Sequence, residues 1–234
     1  MKFASVAVAF NEERFIGKHL KHIPDWVEKK LVLVSKIPWE GEPEPLDKTA
    51  EIASQYAQVV EGTWATEHEQ RNTGQMLNED CDWVIILDPD EFLSNENWDK
   101  LKDFLENTSH DAVIIQNQRV FWKDKEVSPC NDYQQLIAVR PYTRFVDKRI
   151  INTSYTTAPV ELLHFSWSRT DKEVWSKISH YAHAHDFDIK KWYEEVWLAG
   201  KTENLHPVSP EALGRLTHPI LPKEIEGLDI WQGL

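Results

Sequence analysis

Residues 82–94, DWVIILDPDEFLS, decide the fold, because a run of apolar residues leads directly into three carboxylates. The run WVIIL has the composition of a strand that is buried on both faces of a parallel sheet. Asp88, Asp90 and Glu91 follow at once. Carboxylates held together after a buried strand repel one another, which costs free energy unless a positive charge lies among them. The stretch therefore predicts a sheet edge at which charged groups meet.

The rest of the first half alternates between strand-like and helical patterns. Apolar runs predict strands at residues 6–10, 31–35, 57–64 and 82–88, and helical patterns cover residues 11–24, 47–57 and 66–79. Asp47 is the predicted N-cap of the second helix. This order predicts a mainly parallel sheet with helices on both faces. Right-handed crossovers would bring the carboxyl ends of the strands to one edge, where open α/β sheets bind ligands.

The second half predicts a mixture of strands and helices. Helical patterns cover residues 97–107, 171–184 and 188–200, strand-like runs cover 112–122, 133–141 and 159–167, and residues 144–155 fit a loop or an edge strand. A tail rich in proline follows Asn204 and is expected to wrap the surface. No linker or internal repeat interrupts the chain. The predicted fold class is α/β, a single Rossmann-like domain over residues 1–234 with mixed strands and C-terminal helices in its second half.

The composition excludes several classes of protein. The 234 residues are 41% hydrophobic and carry a formal charge of −13, which argues against broad affinity for nucleic acid or anionic membranes. No run approaches the roughly 18 apolar residues of a membrane-spanning helix, and the N-terminus lacks a secretory pattern. Cys81 and Cys130 form neither a disulfide framework nor a zinc motif. We expect a soluble protein of a reducing compartment, the cytoplasm.

The Asp-Pro-Asp segment predicts a metal site. Pro89 fixes the backbone, and in an extended chain Asp88 and Asp90 point to the same side. Two carboxylates that share a site are stabilised by a hard divalent ion, such as Mg²⁺ or Mn²⁺, which also binds substrate phosphates. The alternative is a solvated turn rich in aspartate. The position after the fourth predicted parallel strand favours the metal.

Four segments together resemble a known family. They are AFNEERFIGKHL (9–20), DKTAEIA (47–53), QRNTG (70–74) and ILDPDEFL (86–93). In order and spacing they are similar to the NEE-like, DGT-like, ARN-like and D-x-D motifs of family 2 glycosyltransferases with the GT-A fold. The resemblance covers residues 4–95 well and 160–168 less well. It departs from the family at Ser35, where an aspartate is common, and in DKT, where the family has DGT.

The resemblance implies a metal-dependent glycosyltransferase. Such an enzyme moves a sugar from a nucleotide-diphosphate sugar to a hydroxyl group while Mn²⁺ or Mg²⁺ stabilises the departing diphosphate. The resemblance implies that the transfer proceeds with inversion. Residues 1–95 would bind the nucleotide sugar and residues 96–234 would form the acceptor side. Contacts to the nucleotide are implied for Phe10, Asn11, Glu12, Asp47 and Arg71.

The resemblance also implies roles at the diphosphate. Asp88 would hold the ribose and the metal, Asp90 would hold the metal, and His164 would be a further metal ligand. Lys177 would contact the diphosphate, as basic groups in the C-terminal part do in some relatives. For His164 the alternative is a half-buried histidine that is hydrogen-bonded to backbone.

An inverting transfer needs a general base that deprotonates the acceptor hydroxyl. Glu161, in PVELLHFSW, lies where related enzymes have a catalytic carboxylate, and Asp132 is the second candidate. For Glu161 the alternative is an ion pair at the end of a strand. The two assignments remain open at the level of sequence.

Two further patterns in the second half have structural alternatives. His180, His183 and His185 suit zinc by residue type, but the first two alone share a helical face and no Glu-x-x-His partner accompanies them. Solvated or phosphate-facing histidines are therefore favoured. Four tryptophans predict core packing, with one or two available as a platform for a sugar ring: Trp167, Trp175, Trp192 and Trp197.

Two other functions fit parts of the pattern. A non-catalytic protein that binds a nucleotide sugar or a carbohydrate is one, since fold does not dictate activity. A nucleotidyltransferase is the other, but AFNEER lacks the glycine-rich phosphate loop it needs. The acceptor is predicted to be a glycan, with a lipid-linked sugar, a protein or a hydroxylated base in phage-type DNA as alternatives. A DNA groove would need the basic residues Lys123, Lys125, Arg140, Arg144, Lys148 and Arg149.

Overall fold

The first half of the chain forms the predicted alternation of strands and helices. The computed structural model describes residues 1–115, 117–130, 135–202, 205–208 and 213–234. Its first strands are β1 (Phe3–Ala9), β2 (Lys29–Ser35), β3 (Gln58–Gly62) and β4 (Trp83–Ile86). The helices between them are α1 (Glu13–His22), α2 (Thr49–Ala53) and α3 (Glu67–Met76).

The second half adds shorter strands and a set of helices. Its strands are β5 (Glu91–Phe92), β6 (Ala112–Ile115), β7 (Asn117–Trp122), β8 (Lys125–Cys130), β9 (Gln135–Val139), β10 (Phe145–Asp147), β11 (Ile150–Ile151), β12 (Tyr155–Thr157), β13 (Glu161–Trp167) and β14 (Leu213–Thr217). Its helices are α4 (Asn95–Asn107), α5 (Asp171–His180), α6 (Ile189–Trp192), a π-helix (Tyr193–Leu198) and α7 (Lys223–Glu226). Among the described residues, no helix has the length and apolarity needed to cross a bilayer.

The central sheet has seven strands in the order β12-β6-β9-β4-β1-β2-β3. The pairs β1–β2, β2–β3, β1–β4 and β6–β12 are parallel, whereas β9 is antiparallel to β4 and β6. The prediction of a mainly parallel sheet is therefore confirmed. The chain runs from β1 outward to β3 and then returns to place β4 on the other side of β1. The ends of β1 and β4 thus border a topological switch point, where ligands bind in this class of sheet.

Helices cover both faces of this sheet, because its central strands are apolar on both sides. Ala7 and Val32 pack with residues of α1, α2 and α4 on one face. On the other face α3 lies against β1, and a Cβ at Gly74 would come within 2.6 Å of Val6 Cγ1. Gly74 therefore allows α3 to pack closely against β1. Arg71, on the same helix, lies in the wall of a cavity at the end of the sheet.

A second sheet brings the later strands to the same edge. Its order is β14-β8-β7-β13-β5, and β5 begins one residue after Asp90. β13 pairs with β5 so that His164 lies opposite Glu91. The Phe165 N–H donates to the Asp90 carbonyl at 2.8 Å. The second half of the chain is thereby attached directly to the carboxylate segment.

Two predicted elements are wrong in detail. Residues 112–122 were expected to form one strand, but β6 belongs to the central sheet and β7 to the second sheet, because polar residues at 117 and 118 follow the buried AVII run. Residues 188–200 form α6 and a π-helix rather than one α-helix. Trp192 and Trp197 both pack into one core cluster, and the i→i+5 hydrogen bonding of a π-helix brings residues at that spacing toward one face.

Candidate functional site

A cavity of about 840 Å³ lies at the carboxyl ends of β1 and β4. Both halves of the chain line it. The predicted site residues in its wall are Phe10, Asn11, Glu12, Asp47, Arg71, Asp88, Asp90, His164 and Lys177. The sequence therefore identified residues that the fold brings together from positions far apart in the chain.

The end of β1 is held to the loop that follows β2. Asn11 has φ 54°, a left-handed conformation that asparagine tolerates, and its side chain donates to Pro45 O and accepts from the Asp47 N–H at 3.0 Å. Asp47 in turn accepts from the Glu13 N–H at 2.9 Å and from the Thr49 N–H at 2.8 Å. Lys48 holds the N-cap position of α2, so the prediction that Asp47 is the N-cap is wrong by one residue. Asp47 instead links the end of the loop after β2 to the start of α1.

Asp88 belongs to an ionic cluster of five residues, which we call the Asp88 cluster. Arg71 Nη2 donates to both Asp88 oxygens, at 2.9 and 3.0 Å, and Arg71 Nε donates to Glu67 at 2.8 Å. Arg149 Nη1 donates to Glu91 at 2.7 Å and lies 3.4 Å from Asp88 Oδ2. Glu91 also accepts from the Asp88 N–H. Each carboxylate in the cluster therefore contacts a guanidinium.

Asp90 belongs to a separate group of five, the Asp90 cluster. Its Oδ2 accepts from Arg169 Nη2 at 2.8 Å and from Lys177 Nζ at 2.6 Å, and its Oδ1 lies 3.6 Å from His164 Nε2. Arg169 Nη2 also donates to both oxygens of Glu12, at 2.9 and 2.8 Å. Burial raises the pKa of Glu12, and Arg169 offsets this only in part. The cluster joins the end of β1 to the end of β4.

The positive charges keep both aspartates ionised despite their burial. Burial raises the pKa of Asp88, but Arg71 and Arg149 outweigh it and hold that pKa below its ordinary value. Burial also raises the pKa of Asp90, and there Lys177 is the largest of the opposing charges, which hold the pKa well below its usual range. The cavity wall therefore presents ion pairs rather than free carboxylates.

This arrangement does not fit a resident divalent ion on Asp88 and Asp90. Both oxygens of Asp88 lie within hydrogen-bond distance of Arg71, and Asp90 Oδ2 accepts from two cationic side chains. A divalent cation between the two carboxylates would lie among guanidinium and ammonium groups that repel it. Among the described residues, no three His, Cys, Asp or Glu side chains are placed to hold a metal ion. The predicted Mn²⁺ or Mg²⁺ therefore finds no prepared site in this geometry.

Glu161, the first candidate base, does not line the cavity. Glu161 opens β13 with its side chain 44% exposed and 3.8 Å from Arg119, and it is absent from the cavity wall. The contact with Arg119 matches the alternative stated for Glu161, an ion pair at the end of a strand. Asp132 lies outside the described residues. The role of either residue as the base stays a prediction.

The imidazole ring of His164 lies in the cavity wall and makes no hydrogen bond to backbone among the described residues. Its Nε2 faces Asp90, and its Nδ1 is buried with no partner in the part of the chain that the structure describes. The alternative of a backbone-bonded histidine is therefore not what these contacts show. The ring adds a polar group beside the Asp90 cluster.

Sequence reasoning missed the role of two arginines. Arg169 is 2% exposed and bridges Glu12 and Asp90, and Arg149 reaches Glu91 from the turn between β10 and β11. The sequence indicated these arginines only indirectly. The buried carboxylates after β4 require positive charge, and these two side chains supply part of it. Nothing in the local pattern around either arginine identifies its partner.

The predicted histidine and tryptophan groups have mostly structural contacts. His180 Nε2 donates to Glu42 O at 2.9 Å, His185 pairs with Glu40 at 2.6 Å, and both contacts tie the α5 region to the acidic loop after β2. Trp167 lines the cavity but is 2% exposed. The other predicted platform residues are buried in the core, as for Trp192 and Trp197, or packed against Tyr193, as for Trp175.

Comparison with known proteins identifies similar folds only. No protein-family model and no curated protein matches the chain. Among solved structures, S. aureus TarS 1-349 in complex with UDP-GlcNAc is similar with a TM-score of 0.47 and 13% identity, covering 75% of this chain and 64% of that one. An inositol-1-phosphate CTP transferase from T. maritima has a TM-score of 0.46 and 8% identity, covering 74% and 93%. A cytidylyltransferase from Leptospira borgpetersenii has a TM-score of 0.42 and 17% identity, covering 60% and 61%. The chain spans less than two thirds of the length of the TarS chains that it matches.

Proposed function

We propose that the chain is a glycosyltransferase that binds a nucleotide-diphosphate sugar and transfers the sugar, with inversion, to a hydroxyl group of an acceptor. One observation carries this proposal. The cavity lies at the switch point of a mainly parallel sheet, where the carboxylates that follow β1 and β4 meet cations from α3 and from the second half of the chain. Ligands of open α/β sheets bind in this position.

The two sides of the cavity suit two parts of such a donor. Phe10, Asn11 and Asp47 form a rigid wall at the end of β1, which we assign to the base and ribose. Lys177 and Arg149 lie at the carboxylate segment, which we assign to the diphosphate. Positive groups fixed near a departing diphosphate stabilise the charge that develops as the sugar leaves.

The acceptor is proposed to be a glycan rather than DNA. A DNA groove would need free basic residues on one surface. Four of the six that the sequence supplies form ion pairs with carboxylates, and two lie over tryptophan rings: Lys125, Arg144, Lys148 and Arg149, then Lys123 and Arg140. The neighbouring carboxylates and the net charge of −13 oppose the binding of an extended phosphate backbone.

The proposal is tested by donor hydrolysis, which needs no knowledge of the acceptor. The protein is incubated with a panel of nucleotide-diphosphate sugars, with and without Mn²⁺ or Mg²⁺, and the released nucleoside diphosphate is measured. We expect slow release from one donor. Asp88→Asn should reduce that release roughly tenfold or more, because Arg71 loses its charged partner at the cavity.

The matched control is Asp80→Asn, which changes an aspartate that is exposed and paired with Lys29 away from the cavity. It should hydrolyse the donor as the wild type does. Binding of a donor without release would favour the non-catalytic binding protein. No binding and no release with any donor would refute the proposal.

A further inference from the structure

We propose that the protein binds the diphosphate of its donor by direct contacts from its own side chains, chiefly Lys177 and Arg149, and needs no divalent ion to bind it. This inference rests on the proposed function and concerns the same cavity. It reverses the metal dependence that the sequence predicts.

The first step is the charge balance of the carboxylate segment. Five carboxylates meet there and four cations pair with them: Glu12, Glu67, Asp88, Asp90 and Glu91 against Arg71, Arg149, Arg169 and Lys177. Glu67 is also the first residue of α3, where the positive end of the helix favours a carboxylate. The four cations therefore offset most of the negative charge of the five carboxylates. A divalent ion would have this role only if the carboxylates were unpaired.

The second step is that the cations differ in exposure. The side chains of Arg71 and Arg169 are 1% and 2% exposed, so they are covered and serve to hold the carboxylates. Lys177 and Arg149 are 17% and 14% exposed and line the cavity. The covered pair fixes the wall, and the partly exposed pair faces the space that a ligand would occupy.

The third step is that the exposed cations can donate more hydrogen bonds. Lys177 Nζ donates to Asp90 Oδ2, and an ammonium carries three N–H groups. Arg149 Nη2 carries two N–H groups, and one of them donates to Ile86 O at 2.6 Å. Lys148, beside Arg149, also lines the cavity with φ 40°. Guanidinium and ammonium groups are the usual protein ligands of phosphate oxygens.

The two cations come from separate elements, which fixes their positions independently. Lys177 projects from α5, whose N-terminus has a capping box formed by Thr170 and Glu173. Arg149 projects from the turn between β10 and β11, and Asn72 holds that hairpin to α3 through two hydrogen bonds with Phe145. A diphosphate between them would contact both halves of the chain.

The experiment measures nucleoside diphosphate binding by calorimetry, in excess EDTA and in excess Mn²⁺ or Mg²⁺. A panel of nucleoside diphosphates is used as the probe. We expect the dissociation constants with and without metal to agree within about twofold for the best ligand, and Lys177→Met to weaken binding in EDTA by about tenfold or more. Lys177→Arg, which keeps the charge, should restore most of the affinity. The control Lys190→Met changes an exposed lysine of α6 that pairs with Glu194 outside the cavity, and it should bind as the wild type does.

A second readout follows the metal itself. The paramagnetic resonance signal of free Mn²⁺ should not fall when the protein is added, with or without nucleotide. Binding that is lost in EDTA and restored by Mn²⁺ would overturn the inference but leave the proposed function standing. Wild-type affinity in Lys177→Met, with a wild-type melting temperature, would also overturn it. No binding of any nucleoside diphosphate in either condition would refute the proposed function and this inference together.

Discussion

The two carboxylates on either side of Pro89 are only two positions apart, yet they are held in different ways. Asp88 is 27% exposed, and its main partner Arg71 is 17 positions earlier, on the helix that precedes β4. Asp90 is 4% exposed, and its partners Arg169 and Lys177 are 79 and 87 positions later. The Asp88 cluster is built mainly by the parallel half of the chain. The Asp90 cluster forms only when the second half closes over the end of the sheet.

The difference in burial sets how strongly each cluster depends on its cations. Water can partly replace a lost partner of Asp88, because that side chain keeps some exposure. Asp90 has no such alternative, and removal of one partner from a buried ion pair leaves an uncompensated charge. The comparison can therefore be tested by removing one cation from each cluster.

The largest expected effect is that of Arg169→Met compared with Arg71→Met. Arg169→Met leaves Asp90 and Glu12 without their shared guanidinium, and we expect the free energy of unfolding to fall by about 4 kcal/mol. Arg71→Met should cost about 2 kcal/mol, since its main partner Asp88 is more exposed than Asp90 and is screened by water. Urea denaturation of both variants measures the two values. Equal losses would contradict the difference drawn between the clusters.

A pH titration tests how His19, which contacts Glu91 of the Asp88 cluster, contributes to stability. His19 Nδ1 donates to the Glu91 carbonyl at 3.0 Å, and burial lowers the pKa of His19 from 6.5 to about 4. Between these pH values the unfolded chain binds a proton that the folded chain does not. The free energy of unfolding should therefore fall by about 3 kcal/mol as the pH drops from above 6.5 to about 4. It is measured by urea denaturation across that range.

His19→Gln is the matched variant for this titration. A glutamine keeps a donor for the Glu91 carbonyl but does not titrate, so the dependence on pH in this range should become smaller. An unchanged slope in the variant would assign the pH dependence to other groups.

The order in which the aspartates titrate gives a smaller and more direct test. Because the pKa of Asp90 is held well below its usual range, while that of Asp88 is lowered less strongly, Asp88 should take up a proton at the higher pH. Each carboxylate stabilises the fold above its ordinary pKa, and that stabilisation is lost as the pH falls through its lowered value in the folded protein. Carbon-detected NMR of the side-chain carboxyls measures both transitions. The opposite order would reverse the comparison.

The smallest expected effect is that of Glu161→Gln. Its carboxylate is 44% exposed beside Arg119 and outside the cavity wall, so donor hydrolysis should stay within about twofold of the wild type. The same variant should keep the wild-type stability. A loss of roughly a hundredfold in donor hydrolysis, with stability unchanged, would support the sequence prediction that Glu161 is the general base.

Much of the candidate site was predictable because strand ends are local features. The alternation of apolar runs and helical patterns places the ends of β1 and β4 at one edge, so Asp88 could be assigned to that edge from sequence, whereas Phe10 and Asn11 were assigned by the resemblance. Lys177 was placed by resemblance rather than by pattern. Glu161 was also expected in the cavity by resemblance, but β13 enters the second sheet at Glu161 and reaches Asp90 only at His164.

By itself, the sequence determined the parallel sheet, the edge at which ligands bind and the presence of carboxylates that need positive charge. These follow from short-range periodicity and from electrostatic repulsion between neighbours. Only the tertiary structure decided where that positive charge comes from. Arg169 and Lys177 reach Asp90 across more than 70 residues of chain, and no local pattern encodes such a pairing. The contact depends on how the second sheet and α5 pack against the end of the first, which is a property of the whole fold.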